Sequence, residues 1–504
     1  MDIGKEGYAL LIDRRLPLLT CGIYLLCFFL WLPVYTYQLS SDAISYLSIA
    51  KHYADGNGEA ALNGFWSPLF SWLLIPAYWL QVDVALFARL LNGLIGLVGI
   101  WQLHSLLKKL SLPIGYHLPI LTGSILLFCW YSLMIISPDV MVVVLILSYL
   151  RLWVNAETLT PSLSWKVGVI ILLGYFIKTY LLPILLLHTV WVVLRDSRSS
   201  WQEKGKWSIP LLLIVGVVVL SWMYMLFLKY DSWTIGFAGE YNWRLMGSLP
   251  IIQPYEMGNL LPPVHTAAIS AWEDPSYQMP AAWSLREYPT HLLILLKHNF
   301  TNFFGGKGFQ VITLCMLPFS VWYMLEKKKD AHISLLLGFY WMYPVGYWLI
   351  VLEQRYVWVN HLLGVVLICL LVDRYLQRAP LIKWSILMAM LYTLTFTPAI
   401  RLMLYANQGV YVYEEGTAMA QDIPKGSTYA TDQDWGIHLY LAYYADLTYW
   451  GKVKGENDHM IEKKLLARQI DFFAGDKEKD YDFSQYERLS LGQDYSFSLY
   501  RRIK

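Results

Sequence analysis

The run WKVGVIILLGYFIKTYLLPILLLHTVWVVL, residues 165–194, decides how this chain lies in a membrane. A spanning helix needs about 20 apolar residues, so this stretch is too long for one crossing and short for two. Pro183 stands inside it, where a continuous helix would lose a hydrogen bond. Read as two short crossings, the run puts Lys178 at a turn recessed into the bilayer. Read as one, it inverts everything downstream.

The flanking charges choose between the two, because Lys and Arg gather on the cytoplasmic side. Arg14 and Arg15 precede the first apolar run. Lys108, Lys109, Arg151, RDSRSSWQEKGK (195–206), EKKK (326–329) and DRYLQR (373–378) follow later. The other candidate spans are Leu16–Tyr37, Val84–Leu107, Tyr116–Ile136, Val140–Val154, Ile209–Leu228, Phe309–Leu325, Ser334–Leu352, Tyr356–Leu371 and Trp384–Ile400. All basic clusters fall inside when Trp165–Leu194 crosses twice and Phe65–Leu80, with Pro68 and Pro76, lies along the outer face. That gives an α-helical polytopic membrane protein of about eleven crossings with a cytoplasmic N-terminus.

Composition agrees. The 504 residues are 57% hydrophobic and 15% charged, against about 25% charged in soluble proteins. A net charge of +2 argues against an electrostatic nucleic-acid binder. The cysteines (21, 27, 129, 315, 369) all lie in apolar runs and read as small buried hydrophobes. The first apolar run lacks a cleavage-like end, so no cleavable signal peptide is expected.

The parity gathers five regions outside: loop 38–83, ISPDV (136–140), the turn at Lys178, loop 229–308 and the residues around Glu353. Residues 401–504 join them, and the chain divides into a transmembrane part, 1–400, and this tail. Polar residues return in the tail, with a strand-like STYATD (427–432) and a helix-like MIEKKLLARQI (460–470), which predict a small extracytoplasmic α/β domain.

On that face Asp42 heads YQLSSDAISYLSIAKHYADG (37–56). Apolar residues at 43, 46, 47, 50 and 53 predict an interfacial helix, and Asp42 or Ser41 has an ordinary role as its N-cap. Asp139 has a similar reading, as a first-turn acid after Ser137 and Pro138. Two acids at one depth on one face favour chemistry instead. A recessed Lys178 must snorkel, pair with an acid or meet an anionic ligand. Arg355 is suited to bidentate grip on phosphate, although a surface pair with Glu353 is the plainer reading. Tyr356 and Trp358 fit an interfacial aromatic belt. Trp66, Glu353, and Glu240 with Arg244 in GFAGEYNWRLMG (236–247) are further candidates for substrate contact. The glycines of NFFGGKGFQ (302–310) offer backbone N–H groups to an anion. His104, His188 and His361 lie within spans without metal-ligand spacing.

In order, SDAISYLSIAKHYADG, NGFWSPLFSWLLIPAYWL, LFARLLNGLIG, SPDVMVVVLILSYL, YFIKTYLLP and EQRYVWVNHLL resemble the GT-C superfamily of polytopic glycosyltransferases. The likeness is to the bacterial branch of lipid A aminoarabinose transferase and protein mannosyltransferases, and it extends over nearly the whole chain. It implies a bacterial inner-membrane enzyme that takes a sugar from a polyprenyl phosphate and passes it to an extracytoplasmic glycan, lipid or protein acceptor. Asp42 corresponds to the catalytic acid of the first loop and Asp139 to that of the second. Lys178, Arg355 and Tyr356 would meet the lipid phosphate. Some members bind a divalent metal near these acids; this sequence shows no full acidic triad. The rival readings are a transporter or flippase of lipid-linked sugars, for which no internal repeat is visible, a hydrolase of such lipids, and a membrane scaffold displaying the tail.

Overall fold

A computed structural model describes residues 3–247, 252–284, 286, 289–304, 309–490 and 495–503. The glycines at 305–308 therefore lie outside the described residues. Helices run α1 Ile3–Tyr35, α2 Ser41–Ala54, α3 Gly58–Ala61, α4 Leu69–Trp79, α5 Val84–Lys109, α6 Ile114–Leu133 and α7 Asp139–Val154. They continue with α8 Pro161–Ile177, α9 Leu181–Arg195, α10 Trp201–Tyr230, α11 Ala238–Leu245, α12 Pro289–Phe304, α13 Gln310–Leu325, α14 Ala331–Met342 and α15 Val345–Trp348. The last are α16 Trp358–Tyr375, α17 Pro380–Leu404, α18 Val410–Asp422, α19 Trp435–Ala445 and α20 Asp458–Ala467.

Among the described residues, six helical segments are long and apolar enough to cross a membrane: Arg15–Tyr35, Val84–Lys109, Gly115–Leu133, Trp201–Tyr230, Gln354–Tyr375 and Pro380–Leu404. Shorter apolar helices, α8, α9 and α13 among them, accompany these, as expected of an integral membrane protein. The decisive run does break into two helices. Continuing α8 would require an N–H that Pro183 lacks and would drive its ring into the carbonyl of Thr179. The chain instead extends at Lys178 and restarts at Leu181, placing Pro183 in the first turn of α9, where no intrahelical donor is needed.

Three expectations change. Ser334–Leu352 is not one helix, because α14 ends at Met342 and Pro344 leads into the four-residue α15. The expected loop 229–308 contains α11 and the 16-residue α12. And α2 does not show the single buried face that its spacing predicts: Ala43 through Ala50 and His52 are all buried. The helix α4 and the stretch between α10 and α12 cover it.

Close packing of the bundle depends on small residues. A Cβ at Gly96 of α5 would collide with the hydroxyls of Tyr24 and Ser132. With hydrogen there, Tyr24 Oη approaches α5 and donates to the Gly93 carbonyl at 2.9 Å, the mixture of small residues and interhelical hydrogen bonds that membrane packing favours. Arg89 of α5 is fully buried. It donates to the Leu133 carbonyl at the end of α6, 2.6 Å away, and to the Gln38 carbonyl just ahead of α2.

Residues 428–502 form a five-stranded sheet: β1 Thr428–Thr431, β2 Thr448–Lys452, β3 Phe472–Asp476, β4 Tyr486–Arg488 and β5 Phe497–Arg502, in the order β2-β1-β3-β5-β4. The β1–β2 and β1–β3 pairs are parallel and those made by β5 antiparallel. The β2 edge is covered by the stretch between α10 and α12. Tyr449 N–H donates to Ile269 O at 2.7 Å and Lys452 O accepts from Leu260 N–H at 3.3 Å, with Lys454 N–H donating to Gly258 O at 3.1 Å just past the strand, so this edge is partly paired. Beyond α17 the chain also meets the end of α1. Gly409 lies against the Tyr37 and Gln38 backbone with no room for a Cβ, and Tyr37 stacks on Tyr413 with centroids 3.9 Å apart.

Candidate functional site

Asp42, Asp139, Lys178, Arg355, Tyr356, Glu353 and Trp66 line one cavity of about 450 Å³. Neither aspartate is spent on capping. The N-cap of α2 is Ser40, whose Oγ accepts from Ala43 N–H at 3.2 Å. This frees the Asp42 side chain at the first turn. Helix α7 begins at Asp139 itself, behind Pro138, and Ser137 Oγ donates to Asp139 Oδ2 at 2.8 Å.

The charges interlock. Lys178 Nζ donates to Asp139 Oδ1 at 2.8 Å and sits 3.8 Å from the centre of the Tyr356 ring, a cation–π arrangement. Arg355 donates through Nη2 to Asp42 Oδ2 at 2.7 Å and through Nε to Glu353 Oε2 at 2.7 Å. Its Nε also lies 3.8 Å from Asp139 Oδ2. Asp42 Oδ1 accepts from the indole N–H of Trp272 at 3.2 Å. Every carboxylate oxygen of the aspartate pair is thus engaged, and a guanidinium bridges the two acids. A divalent ion held by Asp42 and Asp139 would have to displace Arg355, which stands between the two acids.

The supports come from distant segments. The turn bearing Lys178 is held by Ser67, whose Oγ accepts from Thr179 N–H at 3.0 Å. The turn bearing Arg355 follows the broken helix after Pro344. Buried Asn299 of α12 meets its freed backbone: Nδ2 donates to Tyr347 O at 3.1 Å, Trp348 O at 3.0 Å and Ile350 O, and Oδ1 accepts from Leu352 N–H at 3.1 Å. Irregular backbone at membrane depth requires this kind of satisfaction.

Glu240 and Arg244 are placed differently from expectation. They pair with each other along α11, and it is their neighbours Ala238, Gly239 and Asn242 that line the cavity. His188 hydrogen-bonds Tyr149 Oη at 3.0 Å, and His361 stacks on Phe309 at 4.0 Å, both as packing residues.

Sequence reading missed Trp272 and Tyr255, which line the cavity with Trp66, Phe65 and Tyr46. Tyr255 stacks on Trp435 of α19 at 3.9 Å and meets Trp272 edge-on at 4.8 Å. Aromatic contacts therefore run from the sheet-bearing region to Asp42. It also missed a buried cluster of His52, His265 and Glu273. There burial would raise the Glu273 carboxyl, but hydrogen bonds with His265, His52 and Ser48 hold it down to about 2. No spacing rule joins position 52 to positions 265 and 273; an aromatic-rich loop carrying a lone acid was the available signal.

No protein-family model and no curated protein matches the chain. Solved structures do. ArnT from Cupriavidus metallidurans, bound to undecaprenyl phosphate, superposes with a TM-score of 0.56 at 12% identity over 96% of this chain and 97% of that one. The oligosaccharyltransferase of Archaeoglobus fulgidus, in complex with Zn and sulfate, gives 0.57 at 11% identity over 91% and 68%. The mycobacterial arabinofuranosyltransferase AftD gives 0.51 at 12% identity over 97% of this chain, which spans 40% of AftD's length. Through a likeness of architecture at low identity, the chain has the fold of the GT-C glycosyltransferases.

Proposed function

We propose that the chain is a membrane glycosyltransferase that moves a sugar from a polyprenyl-phosphate carrier to an acceptor hydroxyl on the extracytoplasmic face, with Asp42 as general base. The observation that carries this is the sharing of one cavity by the Asp42 carboxylate and two cations of phosphate-binding type, Lys178 and Arg355. The ArnT structure of the same fold is bound to undecaprenyl phosphate, which supports a lipid-linked donor. In this reading the chain crosses a bacterial inner membrane about eleven times, its N-terminus is cytoplasmic, and residues 401–504 form an extracytoplasmic domain.

The acceptor oxygen attacks the anomeric carbon and forms the new C–O bond. The bond from that carbon to the carrier phosphate breaks, its electron pair leaves with the phosphate, and the hydroxyl proton passes to Asp42. One base and one stabilised leaving group suffice for a single displacement with inversion. Arg355 and Lys178 face the charge that develops on the leaving phosphate, where fixed electrostatics count most. As the phosphate draws Arg355, the Asp42 oxygen that held the guanidinium is released to accept the hydroxyl proton. Asp139 holds Lys178 in place, and Trp66 and Trp272 offer faces on which a sugar ring can stack.

Purified protein given a radiolabelled polyprenyl-phosphate sugar and a panel of acceptors tests the reading. Label should move to an acceptor, and Asp42→Asn should slow that transfer by about 10²–10⁴-fold, the usual worth of a positioned base. Full transfer by a folded Asp42→Asn protein removes Asp42 from the role. Release of free sugar alone makes the chain a hydrolase, and movement of intact donor across vesicles makes it a flippase.

A further inference from the structure

His52, His265 and Glu273 converge on one point outside the cavity. His52 stands in the last turn of α2, and the other two lie in the stretch between α10 and α12. His52 Nε2 is 2.7 Å and His265 Nε2 3.2 Å from the same atom, Glu273 Oε1. The other oxygen, Oε2, is taken from behind: Ser48 Oγ donates to it at 2.5 Å and Ile269 N–H at 3.4 Å. Asn63 Nδ2 fixes the Glu273 backbone carbonyl at 2.7 Å. The side chains of His52 and Glu273 are 4% and 3% exposed, that of His265 26%.

We propose that this cluster is a zinc site, with His52 Nε2, His265 Nε2 and Glu273 Oε1 as protein ligands and water completing the shell. An ion pair alone explains the arrangement poorly. Two imidazoles aim the same nitrogen at a single carboxylate oxygen, with ring centroids 4.9 Å apart. Around an ion at about 2.0–2.2 Å, His52 Nε2 and Glu273 Oε1, now 2.7 Å apart, would open by roughly 0.6 Å, while His265 Nε2, at 3.2 Å from the same oxygen, already stands near a tetrahedral spacing. Imidazole nitrogens with one carboxylate suit zinc better than magnesium or calcium, which prefer oxygen throughout. The hydrogen bonds that orient Glu273 from behind are the outer support that metal ligands ordinarily have.

The ion would join α2 to the stretch that carries Trp272, next in sequence to a ligand and itself the donor to Asp42. Its part is to hold that tryptophan in place, apart from the chemistry. The site stands whether or not the chain transfers sugar.

Full-length protein in detergent, stripped with a chelator, reloaded with Zn²⁺ and desalted, should retain about one zinc per chain by elemental mass spectrometry. Co²⁺ in its place should give the visible absorption of a low-coordinate site. His265→Ala and Glu273→Gln should each cut retained metal at least tenfold at an unchanged gel-filtration volume. Among the described residues the His265 side chain meets only Glu273 and the His52 ring in polar or ring contact, so His265→Ala decides the matter if Glu273→Gln misfolds. A variant carrying both Asp42→Asn and Asp139→Asn should keep its zinc. Reloaded wild type without metal, full retention in His265→Ala, or loss in the aspartate double variant would each overturn the site.

Discussion

Asp42 is held by two donors of different kinds, and they are separable. Trp272→Phe keeps an aromatic ring in the cavity wall but removes the N–H to Oδ1 along with the five-membered part of the indole. A hydrogen bond to a charged group is worth about 1.5–3 kcal/mol, so kcat/KM should fall roughly ten- to hundredfold, with the donor's binding constant little changed. An unchanged kcat/KM would show that Asp42 needs no such orienting. The Asp139–Lys178 pair is tested through folding. Lys178→Met strands a buried carboxylate and should cost about 3–5 kcal/mol in detergent unfolding, whereas Asp139→Asn with Lys178→Met should recover most of it and still fail to bind donor. A double variant that binds donor normally would reduce Lys178 to a structural role. Asp42, Asp139, Lys178 and Arg355 were legible in the sequence because a charge in an apolar run has to be explained. Trp272 was not, since an indole in an aromatic loop looks like any other until its N–H finds a partner 230 positions away.

Among the elements, the breaks matter more than the helices. Pro183 marked one break in advance, and the halves of the 165–194 run part at Lys178 as its length demanded. The break at Pro344 was hidden by an uninterrupted apolar run on both sides. Its cost is met by Asn299, a residue in a segment that read as loop. Asn299→Leu should leave the carbonyls of Trp348 and Ile350 and the Leu352 N–H without this partner, while the Tyr347 carbonyl keeps the Ile350 N–H. Each buried unsatisfied group costs about 1–3 kcal/mol, so the thermal midpoint should drop and the Arg355 turn should loosen, raising KM for the donor. If Asn299→Leu matched wild type in both, the turn would have another support. The burial of α2 was illegible for a similar reason: its 43, 46, 47, 50 and 53 pattern describes one face, and the covering stretch supplies the others.

At the scale of the whole molecule, the sheet and the cavity are one construction. The stretch carrying Tyr255, Trp272 and Glu273 hydrogen-bonds to the β2 edge, and Trp435 of α19 stacks on Tyr255. The sequence suggested a separate α/β tail; long-range pairing of this sort has no local signature. The sheet region has a built-in acid sensitivity. Burial holds the His438 imidazole down to about 3, with Lys452 pushing the same way, and the ring hydrogen-bonds Tyr429. An unfolded chain takes up that proton near about 6.5. Stability tied to the neutral ring is therefore whole above about pH 6.5 and falls as the pH drops toward about 3, by at most ~1.4 kcal/mol per pH unit. Exchange protection of the β1 amides, corrected for intrinsic rates, should decline between about pH 6.5 and 4; a flat profile would mean the ring titrates alike in both states.

The stitching of β2 to the stretch that reaches Asp42 also bears on biosynthesis. A ribosome delivers Asp42 about 400 residues before β2, the strand that steadies its tryptophan. A nascent chain interrupted between the two is left with the acid in place and its indole partner unsupported, and competence waits on the strand.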